Sequence, residues 1–280
     1  MSTSGTFLNC CPGFGRPALN NLIFPAALAF LLDASHRCTF PVGPDGKAVC
    51  VICNASVWGH PIESCKLTSH SIARHSVVEH IIMRAAKATN LHGLVECEPS
   101  QNTFREPTAS GGTRLFRPAD VLVHDINRSG DLHFFDITFY SPNQQAVANA
   151  AVIASVDALL EPVTVAKSTK YADIIARNGV GRFHFDPLAF STKGKCSSAT
   201  FLSLRALMGV GHSPDGQAHL SKLMQDISYA AYTCAATFCL AQSGSIPLGA
   251  KWGVVAYTKD PVIPPFPQDL MNLPPVVDDI

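Results

Sequence analysis

The residues with the most chemical content fall into two ordered sets. The first is Cys50-x2-Cys53-x6-His60-x4-Cys65. Zinc takes four nitrogen or sulfur ligands in a tetrahedron, and a two-residue gap lets one tight turn aim two thiolates at one point. The six- and four-residue gaps let a short loop bring the second pair across, and Gly59 and Pro61 suit its sharp turns. His70 is an alternative to His60 as a ligand, and Cys38 a weaker substitute. Buried thiols at Cys50 and Cys53 and a surface histidine at His60 would explain the same residues without metal.

The second set is Arg117-Pro118-Ala119-Asp120, followed sixteen residues later by Asp136 within Phe135-Asp136-Ile137-Thr138-Phe139. Aspartate is disfavoured in strand interiors, so one embedded in so apolar a run needs a partner. A hairpin loop with an odd number of residues, such as Asn127 to Ser129, sets Asp120 directly across from Asp136, with Cβ atoms about 5 Å apart. Carboxylates that close repel unless they share a proton or hold a cation, and oxygen ligands of this kind suit Mg2+ or Mn2+. The alternative is that Asp120 caps a turn and Asp136 pairs with an arginine such as Arg117. Glu79, on a helix preceding these strands, is a further metal or water ligand if that helix packs beside the hairpin, and otherwise an exposed helical carboxylate. His75 and His80 fall on neighbouring faces of the same helix and read as ordinary polar residues as well. Lys167 and Lys170, one turn apart and followed by Tyr171, would stabilise a phosphate under attack or simply be solvated.

The elements that must position these residues follow from periodicity and punctuation. Residues 1–25 are rich in Gly, Pro and Asn and read as irregular, and Ala26–Ala34 as a short helix. Val42–Cys65 is loop-rich. Ser69 opens a helix through Lys87, because Ile72, Val77, Val78, Ile81, Ile82, Ala85 and Ala86 recur at three- and four-residue steps. His92–Cys97 is a short strand, and Pro99–Phe116, with Gly111-Gly112 and no periodicity, a long loop. Ala119–His124 and Leu132–Tyr140 are strands flanking the hairpin residues Asn127-Arg128-Ser129-Gly130. Ala146–Leu160 and Val163–Asn178 are helices separated at Pro162. Arg182–Phe190 is a strand interrupted by Pro187, and Ala199–Met208 and Gln217–Ala241 are further helices. The tail from Pro261 holds six prolines and reads as extended. The expected fold is α/β (or α+β), with a small mixed sheet and appended helices.

Composition bounds the rest. At 280 residues, one core with elaborations is expected. Only 15% of residues are charged, and the 21 basic side chains equal the acidic ones in number, so no whole-molecule attraction to polyanions exists. The charge is uneven. Lys167–Arg205 carries seven basic residues against Asp173 and Asp186, whereas the chain from Ala206 onward carries three basic and six acidic ones. A local basic stretch admits a phosphate-bearing partner without requiring one. Ten cysteines without a signal-like N-terminus point to metal ligation in a reducing compartment rather than a disulfide scaffold. The nucleus or cytoplasm is therefore expected, with no membrane span, because the apolar runs Leu22–Leu32 and Ala230–Ala241 are too short.

Taken in order, these pieces resemble the restriction-enzyme-like endonuclease that lies C-terminal to the reverse transcriptase in site-specific non-LTR retrotransposons. The resemblance spans roughly Phe24 to Met208. It rests on Cys50, Cys53, His60 and Cys65, then Ala73-Arg74-His75, Arg117-Pro118-Ala119-Asp120, Phe135-Asp136-Ile137-Thr138, Lys167-x2-Lys170-Tyr171 and Gly181-x-Phe183-x3-Pro187. It implies a nuclease fold of the PD-(D/E)xK type, with metal-binding acids on a strand hairpin. Three departures stand out. Asp120 follows Ala119 rather than Pro118, Thr138 stands where a lysine is usual, and no polymerase accompanies the domain. The family tends to supply the lysine from the following helix, so Lys170, with Lys167 behind it, inherits the role.

The resulting expectation is an Mg2+- or Mn2+-dependent endodeoxyribonuclease that nicks target DNA. Asp120, Asp136 and the Ile137 carbonyl hold the metal, Glu79 assists, and structural zinc sits on Cys50, Cys53, His60 and Cys65. Arg117, Lys167, Tyr171 and Arg182 contact DNA, mainly through phosphates. Element RNA or a separate reverse transcriptase are further partners. The expected organisation is an N-terminal segment, 1–41, as a remnant of the polymerase thumb, a zinc module over 42–68 and a nuclease core over 69–210. A helical extension over 211–260 and a Pro-rich tail over 261–280 complete it. A non-catalytic nucleic-acid-binding module and a zinc-stabilised interaction protein are the rivals.

Overall fold

The computed structural model describes residues 24, 26–28, 40–54, 70–89, 95–97, 105–108, 110–115, 119–124, 126, 130–140, 156–177, 182–192 and 194–245. Its elements are α1 (His70–Thr89), β1 (Val95–Cys97), β2 (Arg105–Pro107), β3 (Thr113–Leu115), β4 (Val121–His124) and β5 (Leu132–Tyr140). They continue with α2 (Val156–Arg177), β6 (Phe183–Ser191), α3 (Ser198–Leu207) and α4 (Gly216–Gln242). A four-stranded mixed sheet runs in the order β1-β4-β5-β6. β1, β4 and β5 pair antiparallel, and β6 pairs parallel to β5 after the α2 crossover. The chain is therefore an α/β fold with a small mixed sheet.

Alternation along β5 separates two helical layers. Phe135 and Ile137 face a core formed with Val77, Val78, Ile81 and Ile82 of α1, Leu204 of α3 and Leu220, Leu223 and Ile227 of α4. Phe134 faces the other way, onto Leu122 with Tyr171 of α2 and Phe185 of β6. Both faces of β5 are thus covered, which explains why it reads as a nearly unbroken apolar run in which an aspartate stands out. The α1 periodicity lands on the core as expected: Val78, Ile82 and Ala86 are fully buried, and Val77 and Ile81 nearly so. α4 is buried almost all round from Ile227 to Ser243. The segment 40–54 packs at its C-terminal end, where Cys50 meets Phe238 and the Val51 N–H donates to the Gln242 carbonyl at 3.0 Å.

Three expectations are corrected. The stretch expected to be a structureless loop holds the β2–β3 hairpin, with Arg105 opposite Leu115 and Pro107 opposite Thr113. Gly111, at φ +80, supplies the left-handed turn that closes it. Second, α2 does not break at Pro162. Leu159 and Leu160 are buried against Ala189 and Tyr140, and that packing outweighs a proline cost of about 3 kcal/mol. Third, β6 runs through Pro187. It is an edge strand, and its odd-numbered residues turn their N–H groups away from β5. Ala189 donates to Thr200 Oγ1 at 2.9 Å and Ser191 to the Lys195 carbonyl at 2.7 Å. Pro187 has the same parity, so its missing N–H removes no ladder bond.

Of the expected Ala26–Ala34 helix, residues 26–28 are helical and the remainder lies outside the described residues, as do 127–129, 141–155 and the tail from Pro261. Among the described residues no helix is long and apolar enough to cross a membrane.

Candidate functional site

β4 begins at Val121, opposite Phe135, while β5 continues five residues further with only β6 beside it. The edge vacated by β4 lets side chains from both helical layers meet. One step beyond the ladder, the register sets Asp120 against Asp136. The Asp120 N–H donates to the Phe135 carbonyl at 3.0 Å, and Asp120 Oδ2 accepts the Ile137 N–H at 2.6 Å. The carboxylate thus occupies the ladder position of a missing backbone acceptor. Because a strand residue turns its N–H and C=O to the same side, the Ile137 carbonyl also faces this open edge.

Three further side chains converge there. His75 Nε2 of α1 lies 3.1 Å from Asp120 Oδ2, and its Nδ1 lies 3.9 Å from Glu79 Oε2, one turn along the same helix. Glu79 is only 3% exposed. From the opposite layer, the Lys167 ammonium of α2 donates to Asp136 Oδ2. The electrostatics follow from these neighbours. The hydrogen bond to Asp120 holds His75 above the usual imidazole range, against the opposing effect of burial. Burial pushes the Asp136 carboxyl up, Lys167 pulls it back, and the negative charge of Asp120 adds to the rise. The arrangement is a group of neighbouring acids with one permanent cation, Lys167, and one titrating partner, His75. Among the described residues, no three His, Cys, Asp or Glu side chains form a ready metal cage. The donors that do face the edge are hard oxygens, from Asp120, Asp136 and Ile137, and their chemistry fits Mg2+.

The two candidate lysines are placed differently. Lys167 touches Asp136, whereas Lys170 is exposed and lies over the Tyr171 ring, 4.8 Å from its centroid. Tyr171 in turn packs on Phe185 with ring centroids 5.5 Å apart. Lys167 lies on the inward stripe of α2 with Leu160 and Tyr171, and Lys170 lies off it. The arginine proposed as an alternative partner of Asp136, Arg117, is outside the described residues. Arg182, a candidate DNA contact, instead pairs with Asp131, its Nε lying 2.9 Å from Oδ1. Arg177 pairs with Asp173. Of this basic stretch, Lys167, Arg177 and Arg182 are therefore paired locally.

Two features escaped the sequence reading. One is the approach of His75 to Glu79 and Asp120, for which the four-residue spacing on one helix is the available signal. Along the N-terminal half of β5, Asp131, Arg182, His184, His133, Asp186 and Ser203 form a second polar network. His184 Nε2 lies 3.1 Å from Asp131 Oδ2, the His133 and His184 rings stack at 4.6 Å, and Ser203 Oγ donates to Asp186 Oδ1 at 2.7 Å.

Of the zinc set, Cys50 is buried and Cys53 half-buried, and neither forms a disulfide. The turn between them closes with the Asn54 N–H donating to the Cys50 carbonyl at 2.8 Å, and Asn54 adopts φ +57. A compact turn with a left-handed residue directly after the second cysteine suits the two-thiolate half of a zinc site. His60, Cys65 and Cys38 lie outside the described residues, and of His70 only the backbone is described. Compared with known proteins, the chain matches no family model and no curated sequence.

Proposed function

We propose that the chain is a metal-dependent DNA endonuclease of the PD-(D/E)xK type. The single observation that supports this most strongly is the meeting of Asp120 and Asp136 at the open edge of β5, with Lys167 on one and His75 on the other. Acids on adjacent strands of a small mixed sheet, between helical layers, are what the resemblance requires. Asp120, Asp136 and the Ile137 carbonyl would hold Mg2+ or Mn2+. When bound, such an ion polarises a scissile phosphate and lowers the pKa of an attacking water. The chain's own residues supply the rest. Lys167 offers the positive charge that an attacked phosphate needs beside the metal. His75 orients Asp120, and Glu79 orients His75 from the buried side. Lys170, on the outer face over the Tyr171 ring, would touch the DNA backbone.

The test is nicking of a supercoiled plasmid by the full chain in Mg2+ and in Mn2+, with a chelator as control. Nicking that needs the metal and disappears in Asp120→Ala and Asp136→Ala supports the reading; its absence in both metals defeats it. For the zinc half, elemental analysis should give about one zinc per chain, lost in Cys53→Ser. Zinc kept by the quadruple variant of Cys50, Cys53, His60 and Cys65 defeats that assignment.

One observation favours a second reading, a non-catalytic nucleic-acid-binding module. Asp136 has Lys167 and Asp120 has His75, so each acid has a basic partner from the chain itself. DNA binding without cleavage would select it.

A further inference from the structure

Beside the acids, the open edge of β5 and the first turn of α1 enclose a cleft of about 300 Å³, lined by Ile72, Arg74, His75, Ile137, Thr138 and Phe139. Its size is at the small end for ligand sites, large enough for one nucleotide and too small for a base pair. Its chemistry is two-sided. Arg74, only 7% exposed, is a permanent cation on its wall, and the guanidinium carbon lies 4.7 Å from the centroid of the Phe139 ring. A guanidinium stacked by its face carries its N–H donors around its rim, in the fork geometry that matches a phosphate. Thr138, found where the resemblance leads one to expect lysine, brings a hydroxyl to the same wall. Ile72, Ile137 and Phe139 add apolar surface, His75 joins the wall to the acids, and Ile72 is 67% exposed. The acids nearby do not exclude a phosphate, since Asp136 is paired with the Lys167 ammonium and the His75 ring stands against Asp120.

We propose that this cleft binds a single unpaired nucleotide of the DNA strand, its phosphate on Arg74 and its sugar and base against Ile72 and Phe139. The inference rests on the nuclease reading for its substrate class, and it adds that the strand is gripped one unit at a time beside the acids. A paired base could not enter, so the site favours frayed, bubbled or single-stranded DNA.

The experiment measures binding of three probes to the full chain in chelator: a deoxynucleoside 5′-monophosphate, the corresponding deoxynucleoside, and inorganic phosphate. The nucleotide should bind at least about tenfold more tightly than either part, as expected when stacking and phosphate contacts act together. Arg74→Gln should reduce nucleotide binding to the level of the nucleoside. Because Arg74 is buried and its variant could fail to fold, Ile72→Glu, an exposed change that sets a negative charge at the mouth, provides the second arm and should weaken nucleotide binding about tenfold. Phosphate binding as tightly as the nucleotide, or Ile72→Glu binding it like the wild type, overturns the proposal. The two readings fail separately. Plasmid nicking without nucleotide binding removes the cleft and leaves the nuclease, whereas nucleotide binding without nicking in either metal removes the nuclease and leaves the cleft.

Discussion

Along the N-terminal half of β5, Asp131 and Asp186, the latter opposite Phe135 in the register, each sit among partners drawn from neighbouring strands and from α3. Asp131 takes Arg182 and His184, and Asp186 takes the Ser203 hydroxyl, with His133 Nδ1 at 3.6 Å. Five residues further along the same strand, Asp136 and Asp120 meet cations that must reach them from two different helical layers, at an edge no strand covers. The inventories are nearly the same: two aspartates, basic partners and histidine. The first set lies where the sheet is fully paired, so its acids tie β5 to β6 and α3. In the second, a strand ends early, leaving backbone groups and charged side chains facing a cleft. Acids stabilise a fold where their partners come with the strands, and are available for chemistry where the sheet opens.

The largest expected difference between the two ends is in activity. Asp136→Asn should lower Mg2+-dependent nicking by about 10²–10³-fold, while Asp186→Asn leaves it unchanged; comparable losses in both would erase the distinction. Next comes Lys167→Ala, expected to cost about a hundredfold in nicking, with Lys170→Ala costing less and acting mainly on DNA affinity. Equal rates for wild type and Lys167→Ala would show that the cation beside Asp136 has no part in the reaction.

Stability should sort the same residues in the opposite direction. Asp131 is buried against Arg182 and the His184 ring, and Asp131→Asn should destabilise by about 1–3 kcal/mol in chemical denaturation. Asp136 has a carboxyl raised by burial, so its charged form opposes folding as pH rises above the unfolded value of 3.8. Asp136→Asn should therefore leave the fold as stable as wild type or more so at neutral pH, the pattern of a residue kept for function. A lower Tm for Asp136→Asn than for Asp131→Asn would reverse the assignment.

The smallest effect concerns His75. Its folded pKa is raised, so its pairing with Asp120 stabilises fully below about pH 6.5 and is lost as pH rises through the folded value. The stability gap between wild type and His75→Asn should shrink across that window. A gap constant with pH would mean that His75 is uncharged in the fold.

These comparisons also separate what the sequence carried from what it did not. The α1 stripe, the β4–β5 hairpin and the isolated aspartate in an apolar strand were legible because each is a local signal: period, turn chemistry, and a residue against propensity. The parallel pairing of β5 with β6 was not, since it joins residues about fifty positions apart across a helix. Pro162 and Pro187 were read as breaks because proline usually is one. The buried Leu159 and Leu160, and the edge position of β6, decided otherwise. The choice between Lys170 and Lys167 is not legible, because spacing alone cannot say how α2 is rotated. Leu160 and Tyr171 settle that rotation by packing inward on the same stripe as Lys167. His75 was passed over because a histidine on a helix is ordinarily polar surface, and only the approach of Asp120, 45 residues away, gives it a partner.

The measurement closest to the central claim is plasmid nicking by the wild type, Asp136→Asn and Asp186→Asn, side by side in Mg2+ at equal protein concentration. Nicking by the wild type and Asp186→Asn, with Asp136→Asn reduced by about 10²–10³-fold, is the predicted result. Nicking that persists in Asp136→Asn, or that vanishes only in Asp186→Asn, would contradict the assignment of the open edge of β5 as the active centre.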